Sequence, residues 1–359
     1  MRALLRTVAI NFAVLASLLV LIAIGLEIYL RATDGRMSGI DRRRGELENY
    51  AGAEWPKTHW REINQLRTVY FSFVEWRRDL FQGETVNIVG PYRERATAVA
   101  ADAKGGEVFF FGGSTMWGTG ARDAETIPSY YSAITGRPAR NFGESGYVAH
   151  QDLEMMLWLL QSGERPAAVV FYDGVNDVAH RCRKGFGGFS HIQESRMRAK
   201  LVRESGLFDR TWQILVQRFA PGGGGDDDDD DPFDCDNDPA KAQRVADAMI
   251  DDWWLARQAA ERKGVAFFAF LQPVVYFSDT IDDKRADFGR STDDGRRKQF
   301  EAVYPLLRAR LAEVGAIDLT AALDAQELFY IDFCHLSPNG NERVAAALAL
   351  AIEPSLAGR

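Results

Sequence analysis

Five short apolar runs, each closed by a glycine or a polar turn, limit what the chain beyond residue 104 can fold into. They are EVFFFG (107–112), ARNFG (139–143), AAVVFYDG (167–174), VAFFAFLQP (265–273) and AIDLT (316–320). Unbroken apolar strands are buried on both faces, and strands alternating with helices build a parallel sheet covered on each side. Helical patterns do intervene. One covers 126–135 and stops at Gly136, and HQDLEMMLWLLQSG (150–163) spaces its apolar residues helically and ends near Gly163 and Pro166. A third starts at Asp238-Pro239, a cap followed by a first-turn proline, and runs to Gly264. The last begins near Ser337-Pro338 and carries ERVAAALALAI.

The amino-terminal stretch is of another kind. From Thr7 to Leu26 no side chain is charged, with Arg2 and Arg6 before it and Glu27 and Arg31 after it. Twenty helical residues rise about 30 Å, the depth of a bilayer's hydrocarbon core. No small-residue cleavage site directly follows Leu26, so residues 1–31 read as an uncleaved transmembrane anchor. A helix buried in a soluble core is the alternative. Arg2 and Arg6 suggest a cytoplasmic start and an extracytoplasmic bulk, a bias weakened by Arg36 and Arg42 to Arg44 on the other flank.

Residues 32–103 read as a stem or accessory segment rich in Arg, Glu and Trp. Its Trp55, Trp60 and Trp76 are expected to pack onto the main domain, residues 104–359, rather than bind a ligand. That domain is interrupted at about 178–237 by an insertion containing PGGGGDDDDDDPFDCDND. Like charges repel, so a solvated loop is expected there; a calcium site is the sharper alternative, without the glycine and distal glutamate of an EF-hand loop. The net charge of −8 argues against a nucleic-acid partner. Three cysteines do not make a disulfide scaffold, and no C-x-x-C pair suggests zinc. Cys182 and Cys235 bracket the insertion, and outside the cytoplasm they either pair or stay free.

At the carboxyl edge of an open parallel sheet, where reactive groups collect, three runs end in suggestive turns. The first gives Gly112-Gly113-Ser114, the second NFGESGY with Gly146, the third DGVND with Asn176 and Asp177. A serine needs a base to become a nucleophile. Of His59, His150, His180, His191 and His335, the last stands in a polar turn before the final helix, three residues after Asp332. A carboxylate so placed can hold the imidazole's tautomer. The backbone N–H groups of Ser114 and Gly146 and the Asn176 amide are candidate oxyanion donors. Each piece alone also has a plain reading: Ser114 and Asn176-Asp177 as caps or turns, Gly146 as a turn glycine, Asp332 and His335 as a surface pair. Cys334 reads as a buried neighbour, while Trp117 and Tyr147 either line an acyl pocket or pack in the core.

Taken in order, GGSTMWG, NFGESG, GVND and DFCH resemble the signature blocks of the SGNH hydrolases, also called the GDSL family. The resemblance covers roughly residues 107–352. It implies a flavodoxin-like three-layer α/β/α sandwich with a parallel five-stranded sheet, preceded here by one transmembrane helix. It also implies ester hydrolysis without metal or cofactor. Carried over block by block, Ser114 is the nucleophile, His335 the base and Asp332 the orienting acid. Ser114, Gly146 and Asn176 form the oxyanion hole. Gly113 departs from the family's Gly-Asp-Ser. Met116 rules out the G-x-S-x-G elbow of α/β-hydrolases, and no Gly-Lys-Ser/Thr marks a P-loop. The expected function is a membrane-anchored serine esterase acting on O-acyl, above all O-acetyl, groups of an envelope glycan. Lipid or thioester substrates, O-acyl transfer to a sugar by the same residues and a non-catalytic envelope scaffold are the alternatives.

Overall fold

A computed structural model describes residues 2–33, 43–184, 197, 233–280 and 294–357. Helix α1 spans Arg2–Thr33, and its stretch Leu5–Gly25 is long and apolar enough to cross a membrane. Its described side chains stand clear of the rest of the chain, with Phe12 and Leu21 among the exposed apolar groups. Among the described residues nothing covers this surface, which is at odds with the alternative of a buried core helix.

A 3-10 turn at Glu48–Tyr50 and helix α2 (Pro56–Ile63) come next. Strands β1 (Thr68–Phe71) and β2 (Glu75–Arg78) form an antiparallel hairpin of their own. Three short strands follow, β3 (Phe81–Gln82), β4 (Asn87–Val89) and β5 (Glu94–Arg95). Trp60 and Trp76 are fully buried in this region, whereas Trp55 is half-buried with its edge against Tyr50 and His59.

The remaining elements alternate. Strand β6 (Val108–Gly112) leads to the single turn α3 (Ser114–Trp117) and to helix α4 (Ile127–Thr135), closed by Gly136. Next are β7 (Ala139–Asn141), α5 (Ala149–Gln161), β8 (Ala168–Asp173) and α6 (Val175–Arg181). Helix α7 (Pro239–Arg262) opens where the Asp238 side chain accepts from the Lys241 N–H at 3.0 Å. Strand β9 (Ala266–Leu271), helix α8 (Asp294–Val314), β10 (Ile317–Asp318) and α9 (Pro338–Leu356) complete the chain.

The main sheet runs β10-β9-β8-β6-β7-β5-β4-β3. The five strands read from the sequence form its parallel part in flavodoxin-like order, with β6 between β7 and β8. The sheet is wider than those five, because β5, β4 and β3 continue it antiparallel past β7. Helices α4 and α9 pack together on one face, and α5, α7 and α8 on the other. Right-handed crossovers require this: the chain steps one way from β6 to β7, then back over β6 to β8, β9 and β10. Every residue of β6 and β8 is buried, and Phe109, Phe110 and Phe111 are at most 1% exposed. Each such ring contributes roughly 2 to 3 kcal/mol through burial.

Arg95 is the polar stud joining the short strands to this core. Fully buried, it donates through Nε to Asp123 Oδ1 at 2.6 Å and lies 4.3 Å over the Trp117 ring. At the other side of the sheet a Cys182–Cys235 disulfide ties the end of α6 to the approach of α7, with an isolated bridge between Arg183 and Phe233 beside it. The acidic run 226–231, with both readings of it, lies outside the described residues, as does His191.

The disulfide closes a loop of 53 residues, for which the chain-entropy relation gives about 4 kcal/mol as an upper figure. The double substitution Cys182→Ser/Cys235→Ser is expected to lower unfolding free energy by about 2 to 4 kcal/mol. Urea unfolding without reductant checks this, and an unchanged midpoint refutes it.

Candidate active site

Strand β6 delivers the chain to Gly113, which has no room for a side chain: a Cβ there would stand 2.3 Å from Asn176 Nδ2. Ser114 then opens α3, so its N–H is one of the donors a helix start leaves unpaired. The loop before α9 supplies the partners. Asp332 Oδ1 accepts the N–H groups of Cys334 (3.1 Å) and His335 (2.8 Å), a local turn that brings acid and imidazole face to face. His335 Nδ1–H donates to Asp332 Oδ2 at 2.6 Å, which leaves Nε2 as acceptor, and the Ser114 hydroxyl donates to it at 2.6 Å. Three residues expected from the sequence thus meet in one hydrogen-bonded row.

The two other expected residues stand at the same mouth. Gly146 takes a φ of +82°, a left-handed conformation suited to glycine, and Asn176 Nδ2–H donates to the Tyr147 carbonyl at 2.8 Å. That bond uses one of the amide's two hydrogens. Asp177, the next residue, accepts the Ala149 N–H at 3.2 Å and so pins the start of α5 beside α6. Glu144 N–H donates to the Gly112 carbonyl at 2.9 Å, tying this turn to the end of β6. Among the described residues, neither the Ser114 nor the Gly146 N–H donates to any acceptor. Ser114, Gly146, Asn176 and His335 are half-exposed, whereas most of their chain neighbours are buried. The arrangement can take a proton from a hydroxyl and offer N–H donors to a developing anion.

Burial alone would push the Asp332 carboxyl up. The charges of His335 and Arg44 and the hydrogen bonds from His335 outweigh it and hold the group below the ordinary carboxylate range. Cys334 is buried, and desolvation raises its thiol well above normal, so it stays protonated as expected of a structural neighbour. Asp332, Cys334 and His335 present donor atoms within 4.8 Å of one another. Their hydrogen bonds, however, already commit both Asp332 oxygens, the pattern of a proton relay. Trp117 and Tyr147 prove to be core residues at 1% exposure. His59 is buried against the Thr119 carbonyl (2.8 Å) and desolvation depresses it to about 3; His150 pairs with Asp252 at 2.8 Å.

Several contributors carried no signal of their own in the sequence. Thr115 Oγ1 accepts from Gln272 Nε2 at 2.8 Å and donates to the Cys334 carbonyl at 3.1 Å, a buried link between the serine turn and the histidine loop. Gln272 directly follows β9, and its position past a strand end was the only available hint. Asp177 lay within the GVND block, where its turn reading concealed the contact to Ala149.

The comparisons with known proteins give distant likeness. No family model matches the chain, and no curated protein does. Solved structures that it resembles include a carbohydrate acetylesterase from Sinorhizobium meliloti, at 13% identity and TM-score 0.40 over 70% of this chain and 99% of that one. Another is a GDSL-like lipase from Bacteroides thetaiotaomicron, at 14% identity and TM-score 0.37 over 70% and 89%. A third is a carbohydrate esterase family 2 enzyme with a carbohydrate-binding domain from Corynascus thermopiles, at 15% identity and TM-score 0.38 over 72% and 68%.

Beneath the mouth lie three buried acids, Asp152, Asp173 and Asp177, and burial raises all three. Asp173, which accepts from Trp253 Nε1 at 2.8 Å, is pushed up to about 7 by burial and then by the Asp177 charge. A carboxyl raised on folding contributes stability that is present below its unfolded value, near 4, and lost as pH rises through the folded value. Asp173→Asn keeps an acceptor for Trp253 and removes that loss. Its melting temperature relative to wild type should rise by about 2 to 4 °C between pH 5 and pH 8. A difference independent of pH in thermal scans would refute the assignment.

Proposed function

We propose that the protein is a membrane-anchored serine ester hydrolase of SGNH type. The observation that carries this reading is the row Ser114–His335–Asp332, opening beside the N–H groups of Ser114 and Gly146 and the Asn176 amide. In the first half-reaction Ser114 Oγ attacks the ester carbonyl as His335 Nε2 takes the hydroxyl proton. The carbonyl oxygen becomes an anion received by the three donors. Collapse expels the alcohol, which His335 protonates, and leaves an acyl-serine. Water then attacks the acyl carbon, giving its proton to His335; the serine departs with that proton and the acid is released. Asp332 stays ionised throughout and stabilises the imidazolium.

The proposed substrate is a short O-acyl ester, above all O-acetyl, on an envelope glycan. Two features support it. Trp117 and Tyr147, which follow the serine and glycine turns in the chain, are packed into the core rather than presented to an acyl group. The Cys182–Cys235 disulfide fits an oxidising compartment, and α1 fits an anchor whose amino end, with Arg2 and Arg6, stays cytoplasmic. On this reading residues 43–357 face the extracytoplasmic side.

Ser114→Ala should lower turnover of a chromogenic acetyl ester by about 10³-fold or more without lowering the melting temperature, and a serine-directed phosphonate should label wild type at Ser114 alone. Equal turnover by the two proteins would end this reading. Release of the chromogenic alcohol that is slow in water but rises strongly with added glycan, the acyl group passing to a sugar hydroxyl, would reassign the same residues to acyl transfer. Gly113→Asp, which installs the family's usual residue, is expected to lower kcat by about tenfold or more, because its Cβ would displace the Asn176 amide. Unchanged kcat for that variant would show that the amide is not an oxyanion donor.

A further inference from the structure

Asp332 Oδ2 has two partners. One is His335 Nδ1; the other comes from 288 positions away, where Arg44 Nη2 donates at 2.6 Å. Arg44 follows α1 closely in the chain, and its guanidinium lies 5.5 Å over the Trp60 ring. The residues after it continue across the same surface. Asn49 Nδ2 donates to the Tyr330 carbonyl (3.2 Å) and to Ser337 Oγ (3.4 Å), and the Tyr50 hydroxyl donates to the Gly120 carbonyl at 2.8 Å. Tyr50 and Trp60 share a small core with Ile331, the residue before Asp332. The segment therefore grips the loop bearing the acid and the imidazole, and also the turn that follows Ser114.

We propose that Arg44 is a positioning residue for the triad, fixing Asp332 from the membrane-proximal segment, so that the active site is complete only while residues 44–50 are docked. This rests on the reading of Ser114, His335 and Asp332 as the reacting set. A guanidinium on Oδ2 holds the carboxylate plane, and through it the ring that must face Ser114. Its charge acts as well. Asp332 is faced by His335 and Cys334 of its own loop and by Arg44 and Tyr50 of the segment, while Arg296 of α8 acts on Cys334. Arg44 is thus the cation that the imidazolium formed during catalysis must tolerate nearby.

The test uses the full chain in detergent micelles with a chromogenic acetyl ester, measuring kcat and KM from about pH 5 to about pH 9. Wild type, Arg44→Gln, Arg44→Lys and Ser114→Ala are compared, each with its melting temperature. Arg44→Gln should lower kcat about tenfold with KM within about twofold, the scale of one charged hydrogen bond. Arg44→Lys, which keeps a charged donor, should recover most of that loss. A wild-type profile in Arg44→Gln overturns the proposal. So does a loss that Lys does not rescue and that comes with a lowered melting temperature, since that marks a merely structural contact. Activity surviving in Ser114→Ala sinks the serine reading itself, whatever Arg44 does.

Discussion

Strand β6 fixes the frame to which the rest of the site is referenced. It pairs with β7 on one side and β8 on the other, so the three turns that follow these strands emerge side by side at one carboxyl edge. Burial of β6 and β8 on both faces leaves them no freedom to slip, because a one-residue shift would carry Phe109, Phe110 and Phe111 out of their packing. The edge is also where the strand order reverses, so helices from opposite faces of the sheet diverge and leave a crevice. Only the histidine loop is not placed by a neighbouring strand turn. It is drawn in from before α9 by the Thr115 hydroxyl, through the Cys334 carbonyl.

The proposed oxyanion donors are preorganised by bonds that would not change during a reaction. Asn176 spends one amide hydrogen on the Tyr147 carbonyl, Asp177 holds the Ala149 N–H, and Glu144 takes the Ser145 N–H at 2.8 Å. Each of these joins two of the three turns or stiffens one of them. Donors held this way need no reorientation when charge develops, which is where electrostatic catalysis gains most. The missing side chain at position 113 belongs to the same design, since the space it vacates is occupied by the Asn176 amide. A glycine at position 113 is thus what the placement of this amide requires.

How much of this was legible follows from the kind of signal each part leaves. Three of the five parallel strands, β6, β8 and β9, are continuous apolar runs, whereas β7 and β10 are short and carry polar residues, so their signal came from the turns that follow them. The proposed triad and its donors sit in four blocks, three of them at strand ends and the fourth just before α9, so order and residue type sufficed to nominate them. By contrast β3, β4 and β5 are two or three residues long, lie in an Arg- and Glu-rich stretch and alternate too briefly to show a period. Helix α8 was missed because its first turn is densely charged and Pro305 interrupts its apolar spacing. The Arg44–Asp332 pair is a tertiary contact between chain ends, and one arginine among the several near residue 44 carries no mark of it.

That pair also constrains where the cleft stands. Thr33 ends α1, and ten peptide units separate it from Arg43, a reach of at most about 36 Å. The residues of α1 beyond Gly25 add about 12 Å. With α1 as a span, Arg43 therefore stands within roughly 50 Å of the bilayer surface, and Ser114 lies beyond it by the length of the Arg44–Asp332–His335 row. On the proposed reading, an enzyme whose ester-bearing glycan lies against a membrane gains a cleft held near that membrane, and the contact that limits the distance is the one proposed to align the acid.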